Sequence, residues 1–89
     1  MSYEIRQSAA AGTMESSDVL VTVTPGDALT IEIESPVKNQ YGEAIERVVR
    51  ETLSDLGVTK GLIKVMDKGA IDCVIAARVE TAIKRAGGN

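Results

Sequence analysis

A period-two pattern of apolar residues within positions 18–34 constrains this chain more than any other feature of its sequence. Every second residue is apolar in two runs, residues 18–24 and residues 28–34. Alternation of this kind places one set of side chains on each face of a strand. Between the runs lies Pro25-Gly26-Asp27, a compact turn sequence whose glycine tolerates a positive φ. The two runs therefore predict an antiparallel hairpin with one apolar and one polar face.

A change of period after residue 34 predicts a long helix. Ser35 is a suitable N-cap residue, and Pro36 is tolerated at the first helical position. Apolar residues then recur every three or four positions down one side, at Val37, Tyr41, Ile45, Val48, Val49, Leu53 and Leu56. Gly57 follows where a helix usually ends in a left-handed conformation. We expect this helix to lie across the apolar face of the sheet.

Two further candidate strands, residues 62–66 and 70–77, flank Asp67-Lys68-Gly69. A three-residue connection that ends in glycine fits a turn followed by a bulge residue, so these runs predict a second hairpin. Beyond Arg78 the apolar residues are three to four positions apart, which predicts a short C-terminal helix.

These elements predict an α+β fold, a two-layer sandwich in which one long helix covers one face of an antiparallel sheet of two hairpins. The order is strand, strand, helix, strand, strand and short helix, and alternation does not fix the strand order within the sheet. Eighty-nine residues suit one domain, residues 1–89. Residues 1–11 stay open between a flexible segment, an edge strand through Tyr3 and Ile5, and a helical turn through the alanines.

The composition argues against several classes of function. A net charge of -3 and an aromatic content of only Tyr3 and Tyr41 disfavour nucleic-acid binding, because phosphates need cations and bases need stacking partners. The chain has no histidine, the commonest general base and metal ligand, so we expect neither a catalytic nor a metal site. The single Cys73 fits a reducing cytoplasm, and no apolar run approaches the roughly 20 residues that span a bilayer. We therefore expect a cytoplasmic protein without a membrane segment.

Three candidate sites have simpler explanations. The first is an acidic set that suits the solvated face of a strand better than a cation site: Asp27, Glu32 and Glu34. Cys73 shares strand parity with isoleucines on either side, which favours a small buried side chain over a redox thiol. Lys68-Gly69 lacks the length and the glycine count of a phosphate-binding loop and fits a hairpin turn.

Residues 12–18 are the part of the chain that building a fold explains least well. The glycine at the start gives a flexible entry, and the serine pair offers two nucleophilic hydroxyl groups. Strand alternation extended backwards from Val19 places Ser17 with the buried valines and Ser16 on the wetter face. Ser16 is therefore the first candidate for a covalent attachment point, and Ser17 is the second. The competing interpretation is that both are ordinary loop residues before a strand.

The run Gly12-Thr13-Met14-Glu15-Ser16-Ser17-Asp18-Val19 resembles the modification motif of the citrate lyase acyl carrier protein family. Further segments match that family in order and at similar spacing: residues 48–53 with 56–58, and residues 67–70 with 73–74 and 77–79. The likeness extends from about residue 11 to residue 86.

The resemblance implies that Ser16 carries a covalently attached arm, 2'-(5''-phosphoribosyl)-3'-dephospho-coenzyme A, through a phosphodiester. The terminal thiol of such an arm holds an acetyl or citryl thioester. The resemblance further implies an alpha subunit that exchanges citrate for acetate on the arm and a beta subunit that cleaves the citryl thioester to oxaloacetate and the acetyl form. A dedicated transferase attaches the arm, an acetate ligase acts on its thiol, and the carrier itself catalyses no step.

Three alternatives stay open. The malonate decarboxylase carrier uses the same kind of arm, although the Glu-Ser-Ser-Asp run and the Asp-Lys-Gly-Ala turn favour citrate lyase. A noncatalytic interaction module would dock a partner through the polar sheet face or the charged side of the helix. A hydrolase that uses Ser16 or Ser17 ranks last, because only Glu15 or Asp18 is near enough in sequence to act as its base. These two carboxylates would also repel a polyphosphate donor, so we expect a transferase to supply compensating cations.

Overall fold

The computed structural model describes residues 2–87, which form one four-stranded sheet and two helices. The strands are β1 (Ala9–Gly12), β2 (Val19–Thr24), β3 (Leu29–Glu34) and β4 (Gly61–Asp67), and the helices are α1 (Lys38–Asp55) and α2 (Asp72–Ala86). The ends of the predicted domain, Met1, Gly88 and Asn89, lie outside the described residues. No helix within residues 2–87 is long and apolar enough to cross a membrane.

The sheet order β1-β2-β4-β3 separates the two strands that alternation predicts to be neighbours. β4 lies between β2, to which it is antiparallel, and β3, to which it is parallel, so the sheet is mixed and the prediction of a wholly antiparallel sheet is wrong. The predicted hairpin of residues 18–34 is therefore wrong, although both of its strands exist. Alternation assigns residues to faces but does not choose neighbours. β4 carries Leu62 and Met66 on its outer face, which suits a central strand. β3 carries the exposed Glu32 and Glu34, and charged side chains are typical of an edge strand.

The second predicted hairpin is also wrong, because residues 72–86 form α2. The alternating run before Arg78 is too short to distinguish a strand from a helix. The buried residues of α2 instead follow the helical period, at Ile75, Val79, Ala82, Ile83 and Ala86. That period turns Cys73 outward, so the predicted burial of Cys73 is wrong as well. The predicted short C-terminal helix is the second half of α2.

Both helices pack on the same face of the sheet, which confirms the α+β fold in two layers. Val19, Val21 and Val23 are fully buried under them. α1 contributes Ile45, Val49 and Leu53 to this core, and α2 adds a second covering helix beside it. The opposite face of the sheet has no helix over it within the described residues and carries the threonines and charged side chains of the strands together with the half-buried Leu20, Leu62 and Met66.

The predicted long helix is confirmed as α1, with a later start. Val37 is the N-cap residue, and its amide donates a hydrogen bond to Ser35 Oγ (3.2 Å). Pro36 therefore lies in the turn before the helix and not at its first position. Gly57 has a φ of +72°, as its predicted place at the end of the helix requires.

The N-terminal segment, which the sequence leaves open, supplies β1 as an edge strand through the alanines, not through Tyr3 and Ile5. Before β1, the chain runs across the ends of both helices. Tyr3 N donates to Leu56 O (2.9 Å) and Arg6 N donates to Ala86 O (3.1 Å), while Ile5 is buried. These contacts tie the start of the chain to the C-terminal ends of α1 and α2.

Candidate functional site

Ser16 occupies the second position of a four-residue turn between β1 and β2. The turn runs from Glu15 to Asp18 and is closed by a hydrogen bond from Asp18 N to Glu15 O (3.1 Å). Ser17, in the third position, has a φ of +66°, within the left-handed region that favours glycine. A positive φ at this position is typical of a type II turn. The strand alternation therefore stops at Asp18, and a fixed bend precedes it.

A β-bulge joins this turn to the end of β4. Ser17 N donates to Lys68 O (2.8 Å), and Lys68 N donates to Asp18 O (2.9 Å). Ser17 and Asp18 thus lie opposite a single residue, Lys68, which defines the bulge. Ser17, the first residue of the bulge, has a left-handed conformation, and glycine is the usual residue at that position. The extra residue breaks the parity on which the burial of Ser17 was predicted. Ser17 is exposed, so that prediction is wrong, and Ser16 is exposed as predicted.

The backbone, not exposure, distinguishes the two serines. Ser17 is held in the bulge by its amide hydrogen bond to Lys68. Within residues 2–87, the backbone of Ser16 takes no part in the hydrogen bonds of the turn, and its side chain is exposed. Ser16 therefore stands at the free corner of the turn, with a hydroxyl that a second molecule can approach.

Asp18 holds both flanks of the turn through its carboxylate. Oδ2 accepts a hydrogen bond from Thr13 Oγ1 (2.7 Å), and Oδ1 accepts one from Val19 N (2.7 Å). Arg78 of α2 donates to the same carboxylate through Nε (3.1 Å) and Nη2 (3.0 Å). The hydrogen bonds from Thr13, Val19 and Arg78 hold the pKa of Asp18 at about 2, below its ordinary value of 3.8. Asp18 is therefore ionised at neutral pH and ties the turn to α2.

Arg78 changes the electrostatics predicted for the serine pair. Its guanidinium offsets the charge of Asp18, so the chain itself supplies one of the compensating cations that the sequence assigns to a partner. Glu15, on the other side of the serines, is exposed and forms no ion pair within residues 2–87. Repulsion of an anionic donor by this turn therefore comes from Glu15. Nothing in the sequence indicates Arg78, which lies 60 positions from Asp18.

A second carboxylate, Asp67, fixes the turn that supports the bulge. Asp67 is 3% exposed and accepts hydrogen bonds from Gly69 N (3.1 Å) and Ala70 N (2.9 Å) on Oδ1. Its Oδ2 accepts one from Ser35 Oγ (2.8 Å), which connects the turn to the start of α1. The sequence predicts a turn here but not the burial of its aspartate. An aspartate followed two residues later by glycine is the signal for such a side-chain-to-backbone turn.

The other candidates from the sequence contribute little to this site. Asp27, Glu32 and Glu34 are exposed, and Glu32 lies opposite Lys64 of β4. The amides of residues 68–70 donate to Asp18 O and to the Asp67 carboxylate, so they are not free to hold a phosphate. Cys73 is exposed at the start of α2.

Ser16 lies on an open surface and not in a cavity. A groove of about 620 Å³ runs along the edge strand β3 and the first turns of α1, and no residue of the serine turn lines it. An exposed hydroxyl on a fixed bend fits covalent attachment of a long flexible group, because such a group needs a reachable oxygen and no enclosing walls. Ser16 is therefore open to other molecules and is not enclosed as a residue of a substrate pocket would be.

Comparisons with known proteins agree with such a role. Residues 6–86 match the family model described as malonate decarboxylase delta subunit (MdcD), an acyl carrier protein family. A citrate lyase acyl carrier protein of Haemophilus influenzae (strain PittEE) is 57% identical over 83 residues, which cover 93% of this chain and 87% of the relative. One from Streptococcus mutans is 48% identical over 85 residues, which cover 93% of this chain and 83% of the relative.

The fold also has a counterpart among solved structures. A chain in the crystal structure of a Pseudomonas malonate decarboxylase hetero-tetramer in complex with malonate superposes with a TM-score of 0.82. The two chains are 25% identical, and the match covers 93% of this chain and 87% of that one. The layer arrangement is therefore shared with a component of a multi-subunit enzyme.

Proposed function

This chain belongs to the citrate lyase acyl carrier protein family, and on that premise we propose that Ser16 is the residue that carries the prosthetic group. A carrier of a multi-subunit lyase has to hold a covalently attached group where other subunits reach it. The observation that supports Ser16 most directly is its exposed hydroxyl at the free corner of a turn that Asp18 and Lys68 hold in place.

The proposed group is the phosphoribosyl dephospho-coenzyme A arm, joined to Ser16 Oγ as a phosphodiester. When attached, the arm supplies a thiol that holds acetyl or citryl groups as thioesters. The residues of this chain fix the attachment point and raise the local concentration of the thioester at neighbouring catalytic sites. We propose that the chain catalyses no step itself, which is consistent with a sequence that contains no histidine.

The partners that we propose are those that the family resemblance implies. An alpha subunit replaces the acetyl group on the arm with a citryl group and releases acetate, and a beta subunit cleaves the citryl thioester to oxaloacetate and the acetyl thioester. A transferase attaches the arm to Ser16, and an acetate ligase acts on its thiol. We assign the complex to the cytoplasm, where the free thiol of the exposed Cys73 stays reduced.

The intact mass of the protein co-expressed with its transferase tests the attachment site. We expect the mass of one arm to be added to the wild type and to be absent from Ser16→Ala. Ser17→Gly is the matched control, because glycine tolerates the left-handed φ of this position and removes only the second hydroxyl. Loss of the added mass in Ser17→Gly, with retention in Ser16→Ala, would assign the arm to Ser17.

A malonate decarboxylase carrier is the second candidate, favoured by the family model and by the superposition at 25% identity. The identities of 48% and 57% to citrate lyase carriers favour the first assignment. Reconstitution separates them: the loaded carrier is expected to restore citrate cleavage when mixed with citrate lyase alpha and beta subunits. Restoration of malonate decarboxylation alone would reverse the assignment.

A further inference from the structure

We propose that Asp18 is a positioning residue for the modification of Ser16, a role that rests on the proposed function of that serine. Asp18 lies two residues after Ser16, and its own side chain is 15% exposed. It offers no group for transfer, since both carboxylate oxygens accept hydrogen bonds from the chain. Its effect is on where the Ser16 hydroxyl points.

The turn needs such a support because its backbone is not self-sustaining. Ser17 is the only non-glycine residue with a positive φ among residues 2–87, and a side chain disfavours that conformation. Residues in sparsely populated conformations persist only where the surroundings over-determine them, and such residues cluster at functional sites. Asp18 provides that restraint at the position directly after Ser17.

The restraint acts on both sides of Ser16. Through its carboxylate, Asp18 contacts Thr13 three residues before Ser16 and Val19 three residues after it. Through its backbone, it bonds to Glu15 O and accepts from Lys68 N. The segment that carries Ser16 is thus closed at both ends, and the direction of the Ser16 Cα–Cβ bond is set relative to the rest of the fold.

Arg78 anchors this closed segment to α2 and offsets its charge. The guanidinium contacts both oxygens of the Asp18 carboxylate, a two-point contact that fixes orientation as well as distance. Because the pair is neutral as a unit, Asp18 can stand beside Ser16 without repelling an anionic donor. Asp18 and Arg78 therefore both fix the position of the Ser16 turn and cancel each other's charge beside it.

The chemical step depends on this direction. The donor is a polyphosphate-activated form of the arm. The bond from Ser16 Oγ to the donor phosphorus forms while the bond from that phosphorus to the polyphosphate leaving group breaks, and the hydroxyl proton passes to a base of the transferase. Attack requires Oγ to lie in line with the leaving group, and small misplacements of reacting groups are costly.

Kinetics of arm transfer by the transferase, followed by intact mass, test the proposal. For Asp18→Asn we expect kcat to fall by about 10- to 100-fold. The KM for the donor is expected to stay equal or to decrease, because the unpaired Arg78 attracts the anionic donor. A purely structural role would leave both constants unchanged below the melting temperature. Thr13→Val removes one contact of the carboxylate and is the milder variant, with an expected loss of severalfold in kcat.

Two controls separate this inference from the proposed function. Glu80→Gln removes a carboxylate from another ion pair of α2, to Lys84 at 2.8 Å, and is expected to leave transfer unchanged. Ser16→Ala reports on the proposed function alone, because transfer to that variant shows that the arm goes elsewhere. In ¹⁵N-labelled protein, the Ser17 amide signal should shift in Asp18→Asn and not in Glu80→Gln. Transfer to Asp18→Asn and to Thr13→Val at the wild-type kcat would overturn the inference.

Discussion

The guanidinium of Arg78 contacts both carboxylate oxygens of Asp18 across 60 positions of sequence, with Nε 3.1 Å from Oδ1 and Nη2 3.0 Å from Oδ2. This contact joins the turn that carries Ser16 to the helix that completes the core. It gives an otherwise exposed loop a defined place relative to α2. The same contact neutralises one of the two carboxylates that flank the serine pair.

Removal of the cation from this pair should lower the stability of the fold. In Arg78→Ala we expect the melting temperature to fall by roughly 2–6 °C, because a half-exposed two-point ion pair stabilises modestly and the Asp18 carboxylate loses its counter-charge. Arg50→Ala is the control, since Arg50 pairs with Glu46 on the exposed side of α1 at 2.7 Å. It should melt within about 2 °C of the wild type. Thermal unfolding by circular dichroism measures both, and equal shifts would contradict the prediction.

Acid should remove the contribution of Asp18 to stability in a defined range. The folded pKa of about 2 lies below the ordinary value of 3.8, so ionised Asp18 favours the folded state above that ordinary value. The contribution is lost as pH falls from 3.8 to about 2. The wild type should therefore melt above Asp18→Asn at neutral pH, and the two melting temperatures should converge towards pH 2. A gap that stays constant over this range would show that ionisation of Asp18 is not its source.

Glu15 should slow attachment of the arm, because its carboxylate stands next to Ser16 without an ion pair within the described part of the chain. Glu15→Gln is expected to raise the rate of arm transfer by about 2- to 5-fold at low salt. The gain should shrink as the salt concentration rises, since exposed charges are screened. Glu51→Gln, an exposed carboxylate in the second half of α1, is the matched control. A gain of the same size in both variants would indicate an effect of net charge alone.

The sequence predicts the two-layer fold because its strongest patterns are local. The stripe that becomes α1 and the buried valines of β2 depend only on the period of each segment. The choice of neighbouring strands is not local: β4 enters the sheet between β2 and β3, and its half-buried outer residues Leu62 and Met66 suit that central position. The prediction for the start of α2 is wrong for a related reason. The few apolar residues before Arg78 fit both a strand and a helix, and only Val79 and Ile83 further along show the helical period.

The candidate site is predictable only in part, because its local features show in the sequence and its long-range contacts do not. The exposure of Ser16 is predicted, but the alternation behind that prediction ends at Asp18, and Ser17 is exposed too because a bulge adds one residue to the strand. A bulge with a serine in place of the usual glycine carries little signal in a single sequence. The restraint by Arg78 carries none, because nothing local links it to Asp18.

Gly12, the last residue of β1, should tolerate no side chain, because the backbone of Val19 in β2 passes it at close range. A Cβ at Gly12 would collide with the carbonyl oxygen of Val19, and the φ of +103° disfavours a side chain as well. We expect Gly12→Ala to cost at least about 2–4 kcal/mol. Gly69→Ala is the matched control, with a similar φ of +94° and nothing within 4 Å of the added carbon. It should cost only about 1 kcal/mol, since it introduces backbone strain without a collision. Equal losses in urea unfolding would show that the contact with Val19 yields.

Asp67 should matter for stability through its acceptor oxygens more than through its charge. Asp67→Ala leaves the Ser35 hydroxyl and the amides of Gly69 and Ala70 without their acceptor, which we expect to cost about 2–4 kcal/mol. Asp67→Asn keeps one carbonyl oxygen for the two amides, and its amide group can donate to the Ser35 hydroxyl, so a loss of about 1 kcal/mol is expected. Urea unfolding compares the two variants with Asp27→Ala, which replaces an exposed aspartate and should change stability by less than about 0.5 kcal/mol.

A different result is possible for Asp67→Asn: it would lower the free energy of unfolding as much as Asp67→Ala if the negative charge itself stabilises the turn at Lys68. Both variants should then also slow transfer of the arm to Ser16.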